Sequence, residues 1–144
     1  MFDKPIDDRL SLWAELRAHI NTSDTPFEDV WEFWSHAPYI PYNNKIDPYH
    51  RQSWPSPWEI IVDNRYDDFT KALMIAWTIK LSIRFKDSKI QIKTLVDNAQ
   101  KFQYNVVIVD DQWAINYNDN GPIEAIKLPD YFYLENLIDL EPPR

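Results

Sequence analysis

The stretch DDFTKALMIAWTIK, residues 67–80, predicts a helix that is apolar on nearly all sides. Either of the two leading aspartates, Asp67 or Asp68, can cap the first turn, because a carboxylate accepts hydrogen bonds from the free N–H groups there. The apolar residues that follow form one broad stripe and also most of the opposite side. Such a helix is buried, so we expect the rest of the chain to pack around it.

Upstream of this helix, the sequence predicts further helices. Apolar residues recur at helical spacing from Asp7 to about Ile20. TPFE at residues 25–28 and SPWE at residues 56–59 have the residue order of a capping box, which begins a helix. Residues 38–55 hold four prolines among tyrosines, asparagines and aspartates, and we expect an irregular but packed segment there.

Downstream of the helix, the apolar period changes from that of a helix to that of strands. Alternation over residues 90–96 and an apolar run over 102–109 predict two strands. A turn at Asp110-Asp111 and another at residues 118–122 predict two more, over residues 113–117 and 123–127, which gives an antiparallel sheet of about four strands. Residues 131–140 predict one or two helical turns.

The predicted fold class is therefore α+β, with a buried central helix and N-terminal helices on an antiparallel sheet. We expect one domain over residues 1–144. Its predicted parts are a helical pair (1–37), a packed segment rich in Pro and Tyr (38–55), the central helix with the sheet (56–128) and a C-terminal tail (129–144).

Composition excludes several classes of function. The chain has 144 residues, no Cys and a single Gly, so thiolate chemistry and glycine-rich phosphate loops are absent. Its formal net charge of −8 repels nucleic acid. No stretch is long and apolar enough for a membrane span, and early aspartates interrupt any signal peptide. We expect a soluble, cytoplasmic protein that binds neither nucleic acid nor membrane and carries no cofactor.

Three motifs resemble the transglutaminase-like branch of the papain-like fold. RYDDF at residues 65–69 is similar to the start of the helix that carries the family's nucleophilic cysteine. QYNVVIV at residues 103–109 resembles the strand that carries its histidine, and WAINY at residues 113–117 the strand that carries its aspartate. The resemblance covers about residues 54–120 and implies that helix and strands bring these positions together.

The resemblance implies a degenerate site, because none of the three functional residues is retained. Tyr66 stands at the cysteine position, Asn105 at the histidine position, and Asn116, or less well Tyr117 or Asn118, at the aspartate position. A phenol is protonated at neutral pH, and a carboxamide cannot act as a general base. We therefore expect no catalysis by the family's mechanism.

A second resemblance concerns the order of motifs in the first half of the chain. FW at residues 33–34, AP at 37–38, DPY at 47–49 and WPSPWEII at 54–61 follow one another as in a family of small proteins of large tailed bacteriophages. It implies a virion protein or one of phage–host interaction, located in the virion or the host cytoplasm. Its partner would be a viral or host protein, within a larger assembly or oligomer.

Aromatic residues are the candidate binding residues. Their rings provide large contact area at low entropic cost, although most rings in a domain of this size build the core. The sequence leaves open whether the tryptophans of residues 31–58 are buried or partly exposed. The candidates are Trp31, Trp34, Trp54, Trp58, Tyr39 and Tyr42.

The favoured hypothesis is a non-catalytic protein-binding or assembly protein. One alternative is a hydrolase that uses Asp67 and Asp68, with Asp63 or Tyr66 and with or without a divalent metal. Another is an acidic mimic that blocks a nucleic-acid-binding protein of the host.

Metal binding has little support from residue spacing. Asp110 and Asp111 with Asp97 could bind a cation, but a hairpin turn explains the first two. His36 and His50 lack the spacing of metal ligands. We therefore expect no metal site.

Overall fold

Four helices pack on a five-stranded antiparallel sheet in the computed structural model, which describes residues 1–142. The α+β fold class is thus confirmed. The helices are α1 (Ile6–His19), α2 (Pro26–Ser35), α3 (Pro57–Asp63) and α4 (Asp68–Lys80). The strands are β1 (Ile90–Asp97), β2 (Phe102–Val109), β3 (Trp113–Ile115), β4 (Ile123–Glu124) and β5 (Tyr133–Asp139), with short 3-10 turns at Arg51–Ser53 and Ala125–Lys127.

The central helix α4 is buried, as its all-round apolar pattern predicts. Ten of its thirteen residues are buried. It lies between the helical layer and one face of the sheet, where Ile92, Val107 and Ile115 belong to the same core as its side chains. Two polar residues, Thr70 and Thr78, are among the ten, so both need hydrogen-bond partners inside the protein.

The hydroxyl of Thr78 is hydrogen-bonded inside the protein and accepts from two tryptophans at once. The indole Nε1 of Trp13 in α1 donates to the Thr78 hydroxyl at 2.9 Å, and that of Trp34 in α2 donates at 3.0 Å. The hydroxyl in turn donates to the carbonyl of Met74 at 2.6 Å. All three side chains of this contact are fully buried. One hydroxyl thereby joins α1 and α2 to α4.

The sheet has the strand order β4-β3-β2-β1-β5 and is apolar on both faces. The face opposite α4 carries a second, smaller core of Leu95, Val106, Ile108 and Ala114. This face is covered by residues from the connections around β4, which include Tyr117, Leu128 and Phe132. Burial of both faces explains why residues 106–109 of β2 are all apolar, without alternation.

Two of the three predicted helix caps form. Asp67 is the N-cap of α4, where its carboxylate accepts hydrogen bonds from the backbone N–H and the hydroxyl of Thr70. Ser56 accepts from the backbone N–H of Glu59 and caps α3. Thr25 precedes α2 but its side chain does not cap it, so that detail of the prediction is wrong. Its hydroxyl donates instead to Asp29 at 3.2 Å.

The C-terminal tail was predicted as helical, and this is wrong. Residues 133–139 form β5, the fifth strand, which pairs with β1 from Gln91↔Asp139 to Val96↔Tyr133. The apolar residues of the tail have a spacing that suits a helix as well as a strand. The free edge of β1 favours the strand, because the backbone groups at that edge need hydrogen-bond partners. In the strand, Ile138 is also buried and completes the core there.

The strand predicted over residues 123–127 is shorter than expected. Pairing of β4 with β3 is limited to Trp113↔Glu124 and Ala114↔Ile123. The turn at Asp110-Asp111 forms as predicted, and both residues have positive φ, at 51° and 59°. Such a turn matches the twist of the flanking strands.

Thr78→Val should destabilise the protein by about 3 kcal/mol, because the isosteric change leaves two buried indole N–H groups without an acceptor. Thr78→Ser retains the hydroxyl and should cost about 1 kcal/mol, the value of one lost methyl group. Urea denaturation followed by tryptophan fluorescence measures both. Equal losses in the two variants would contradict the role of the hydroxyl.

The cluster that ends α1 and begins α2 makes stability depend on pH. A hydrogen bond from the Ser23 hydroxyl lowers the pKa of Asp29, and Thr25 and His19 add to the effect against the opposing influence of burial. A carboxyl whose pKa is lowered by folding stabilises the folded state above its unfolded-state pKa. That contribution is lost as the pH falls through the folded-state pKa.

Asp29→Asn should therefore destabilise the protein at pH 7, and the difference from the wild type should shrink between pH 5 and pH 3, roughly the range around the usual aspartate pKa. Urea titrations of both proteins across that range measure this difference. A difference that is constant, or that grows towards low pH, would show that Asp29 does not fold in its charged form.

Candidate functional site

A cleft of about 530 Å³ opens where α4 begins, at one end of the sheet. One wall comes from α2 and the residues that follow it. The other wall comes from the start of β2 and the residues after β3. The lining residues are Trp31, Ser35, Tyr39, Asp68, Lys71, Phe102, Gln103, Tyr104, Asn116, Tyr117, Asn118 and Asp119.

Asp68 lies at the floor of this cleft and is held by two carboxamides. Its Oδ2 accepts a hydrogen bond from Nδ2 of Asn105 at 2.9 Å, and its Oδ1 accepts one from Nδ2 of Asn116 at 3.4 Å. Nδ2 of Asn116 also donates to the backbone carbonyl of Asn105 at 2.9 Å. The hydroxyl of Thr94 donates to Oδ1 of Asn105 at 3.0 Å, which fixes the orientation of that amide. Helix α4, strands β1 and β2 and the residue that follows β3 thus share one polar network.

Local backbone geometry explains how the two asparagines reach Asp68. Asn105 lies opposite Thr94 in the β1–β2 pairing and faces α4. Asn116 directly follows β3 and has a φ of 75°, in the left-handed region. Asparagine tolerates this region better than most residues. Asn105 and Asn116 are both buried, whereas Asp68 is partly exposed, so their hydrogen bonds to it are partly buried.

Tyr66, the third residue of the degenerate site implied by the resemblance, has its ring in the helical layer. The ring packs against Trp34 and Phe2, with ring centroids 5.3 and 5.7 Å away. Its hydroxyl is buried and has no hydrogen-bond partner among residues 1–142. Burial raises the pKa of this phenol, which keeps it neutral at physiological pH. The side chains of Asn105 and Asn116 donate instead to the carboxylate of Asp68, two residues later.

The carboxylates of the hydrolase alternative bind different partners. Asp67 accepts hydrogen bonds from Thr70 and from the backbone N–H of Asn43 at 3.0 Å. Asp63 forms ion pairs with Lys45 at 3.1 Å and Arg65 at 3.3 Å. Of the three carboxylates of this alternative, that of Asp68 alone lines the cleft described above.

The acidic residues of the cation-site alternative also lie apart. Asp97 is at the end of β1 that pairs with Phe102, whereas Asp110 follows the opposite end of β2 and accepts from the backbone N–H of Lys89. Asp97 caps the turn after β1 by accepting from two backbone N–H groups. Within residues 1–142, no group of three or more His, Asp or Glu side chains is placed to hold a metal ion.

The candidate aromatic residues do not form one patch. Trp34 is fully buried and belongs to the core, so it cannot contact a partner. Trp31 and Tyr39 line the cleft, and Tyr39 is 70% exposed. Tyr42 is also exposed but is not among the cleft residues.

Trp54 and Trp58 lie elsewhere. Trp54 donates its indole N–H to the carbonyl of Asp47 at 2.6 Å and lines a separate cavity of about 410 Å³. Trp58 is 42% exposed, and its ring lies edge-on to Trp13.

Sequence reasoning missed an aromatic cluster that borders the cleft on the face of the sheet opposite α4. Phe102 and Tyr104 begin β2, with ring centroids 4.8 Å apart, and Tyr117 lies 5.0 Å from Tyr104. Phe102 is 55% exposed, although the last five residues of its strand are all buried. Aromatic residues at the polar end of an otherwise apolar strand were the available signal.

Comparison of the chain with protein-family models, with curated proteins and with solved structures finds no match. Among residues 1–142, no helix has the length and apolar character needed to cross a membrane.

Introduced cysteines can test whether residue 66 or residue 68 lies beside Asn105 and Asn116. In Asp68→Cys/Asn105→His/Asn116→Asp, the new thiol lies at a helix N-terminus beside an imidazole, and both lower a thiol pKa. We expect iodoacetamide to alkylate it about tenfold faster at pH 6 than the thiol of Asp68→Cys alone.

Tyr66→Cys/Asn105→His/Asn116→Asp is the matched control, because the side chain at position 66 packs against Phe2 and Trp34. Its thiol should react slowly with or without the histidine, provided that circular dichroism shows a folded protein. Faster alkylation at position 66 than at position 68 would contradict the placement of Asp68.

Proposed function

We propose that this chain is a non-catalytic protein-binding or assembly protein, and that the cleft at the start of α4 is its contact site. The proposal rests on the hydrogen bonding of Asp68 at the cleft floor. Asp68 is bound by two carboxamides there, in a place that is open to a partner. The arrangement offers shape and hydrogen bonds but no activated nucleophile.

The chemistry of the floor supports binding over turnover. Neither Asn105 nor Asn116 can accept a proton at neutral pH, so neither can activate a hydroxyl or a water molecule. The phenol of Tyr66 is buried and neutral. A hydrolase based on carboxylates would need Asp67 beside Asp68, and the Asp67 side chain caps α4 and binds the Asn43 backbone instead.

The walls of the cleft support a protein partner. Tyr39 and Phe102 are more than half exposed, and Trp31, Tyr104 and Tyr117 are partly buried behind them. Exposed aromatic rings that border a partly buried set are typical of contact sites, because they bury much area at little entropic cost. A cleft with a few fixed polar groups at its floor adds specificity.

The resemblances noted above extend the proposal. A degenerate transglutaminase-like fold would explain why a buried helix begins against two polar strand positions without catalytic residues there. Likeness to small proteins of tailed bacteriophages makes a viral or host protein the proposed partner, in a virion or in the host cytoplasm.

Site-specific photo-crosslinking tests the proposal. p-Benzoylphenylalanine replaces Tyr39 in one variant and Phe102 in another, both of which are exposed at the cleft. We expect both positions to crosslink to the same protein in the native host. We expect Asp68→Ala to reduce the yield at least about tenfold, because it removes the polar floor.

Ile83 provides the matched control position. It is 76% exposed and follows the C-terminal end of α4, about 20 Å along the helix from Asp68. Crosslinking from position 83 should not give this protein. A partner captured equally from Ile83 and from the cleft, or turnover of a substrate that is lost in Asp68→Ala, would contradict the proposal.

A further inference from the structure

We infer that the cleft receives an arginine side chain from a basic segment of the partner protein. This inference rests on the proposed function, because it names the chemistry of the partner at the same site. It comes from three features of the cleft, which are a carboxylate without a cationic partner, more carboxylates than ammonium groups in the lining, and an aromatic wall.

The carboxylate of Asp68 has capacity that the protein does not use. A carboxylate offers about four lone-pair positions, and the two asparagines occupy two of them. Both donors are neutral, and Asp68 forms no ion pair within residues 1–142. The negative charge at the cleft floor is therefore oriented but not neutralised by a bonded cation. A guanidinium group can bind such a carboxylate with two parallel hydrogen bonds.

Other groups of the cleft favour a cation over an anion or a neutral group. The side-chain oxygen of Asn116 accepts no hydrogen bond from the described residues. Asp119 adds a second carboxylate, against the one ammonium of Lys71 in the lining. The whole chain carries a formal charge of −8, which attracts a basic segment over a longer range.

The aromatic wall on the side of α2 favours arginine in particular. Trp31 and Tyr39 line that side, and Tyr39 is 70% exposed. Tyr104 and Tyr117 border the cleft as well, but their rings pack with Phe132 on the other face of the sheet. The faces of such rings are electronegative and attract cations. A guanidinium is planar and weakly hydrated, so it can stack on a ring while its edge binds a carboxylate, which an ammonium cannot do.

Titration of the isotope-labelled full chain with two short peptides tests the inference. The probe is acetyl-Gly-Arg-Gly-amide, and the control is acetyl-Gly-citrulline-Gly-amide, which has nearly the same shape without the charge. We expect the arginine peptide to shift the side-chain amide signals of Asn105 and Asn116 and the indole signal of Trp31. We expect the citrulline peptide to bind at least about tenfold more weakly.

Two charge variants should change the affinity in opposite directions. Asp68→Asn should weaken binding of the arginine peptide about tenfold, whereas Lys71→Gln should strengthen it about twofold by removing a like charge from the cleft. Lys71 forms no ion pair within residues 1–142, so its substitution leaves the fold intact and keeps the test valid if Asp68→Asn unfolds.

Three results would overturn the inference, namely equal binding of the two peptides, signal changes confined to residues outside the cleft, or weaker binding by Lys71→Gln. If the arginine peptide fails but photo-crosslinking from Tyr39 and Phe102 still captures one protein, the proposed function survives and only the arginine chemistry is wrong. If both experiments fail, the proposed function fails with it.

Discussion

The hydroxyl of Thr78 is the one polar group on which the arrangement of the three longest helices depends. The indoles of Trp13 and Trp34 both donate to it from other helices, and all three side chains are fully buried, so a lost hydrogen bond would leave a buried N–H unpaired. Sliding or rotating α4 would leave these N–H groups unpaired. The opposite side of α4 packs on the sheet, where large apolar side chains fix it by shape. The helix is therefore held from both sides, which also fixes the position of its first residue, Asp68.

The cleft exists because the sheet extends past the helix that covers it. Asn105 faces the first residue of α4, and β2 begins three residues earlier at Phe102. At about 3.4 Å per residue, this leaves about 10 Å of strand beyond the helix. On the side of α4 this length carries Gln103, which lines the cleft, whereas the rings of Phe102 and Tyr104 lie on the other face of the sheet. Asp68 closes the inner end of the open space, between β2 and the residues of α2 that form the other wall.

Patterns in the sequence carry most of the fold but only part of the site. The apolar residues on nearly all sides of the segment 67–80 predict the buried helix. The alternation of apolar residues and the turn residues between the apolar runs predict the β1–β2–β3 meander. Residues 133–139 have no such local signal, because the free edge of β1 makes them a strand. The site shows the same limit. Asn105 and Asn116 hydrogen-bond to each other, but position along the chain could not show that their side chains donate to Asp68 and not to Tyr66. The different burial of Trp31 and Trp34 was not predictable for a similar reason. Of the two, Trp34 reaches the hydroxyl of Thr78 on α4 and is fully buried.

The central claim is that Asp68 faces the two strand asparagines while Tyr66 belongs to the helical layer. Nuclear Overhauser effects in the unmodified protein measure this most directly. The account predicts contacts from the side-chain amide protons of Asn105 to the β-protons of Asp68, and contacts from the Tyr66 ring to Phe2 and Trp34. Contacts between the Tyr66 ring and the Asn105 amide, without any to Asp68, would contradict it.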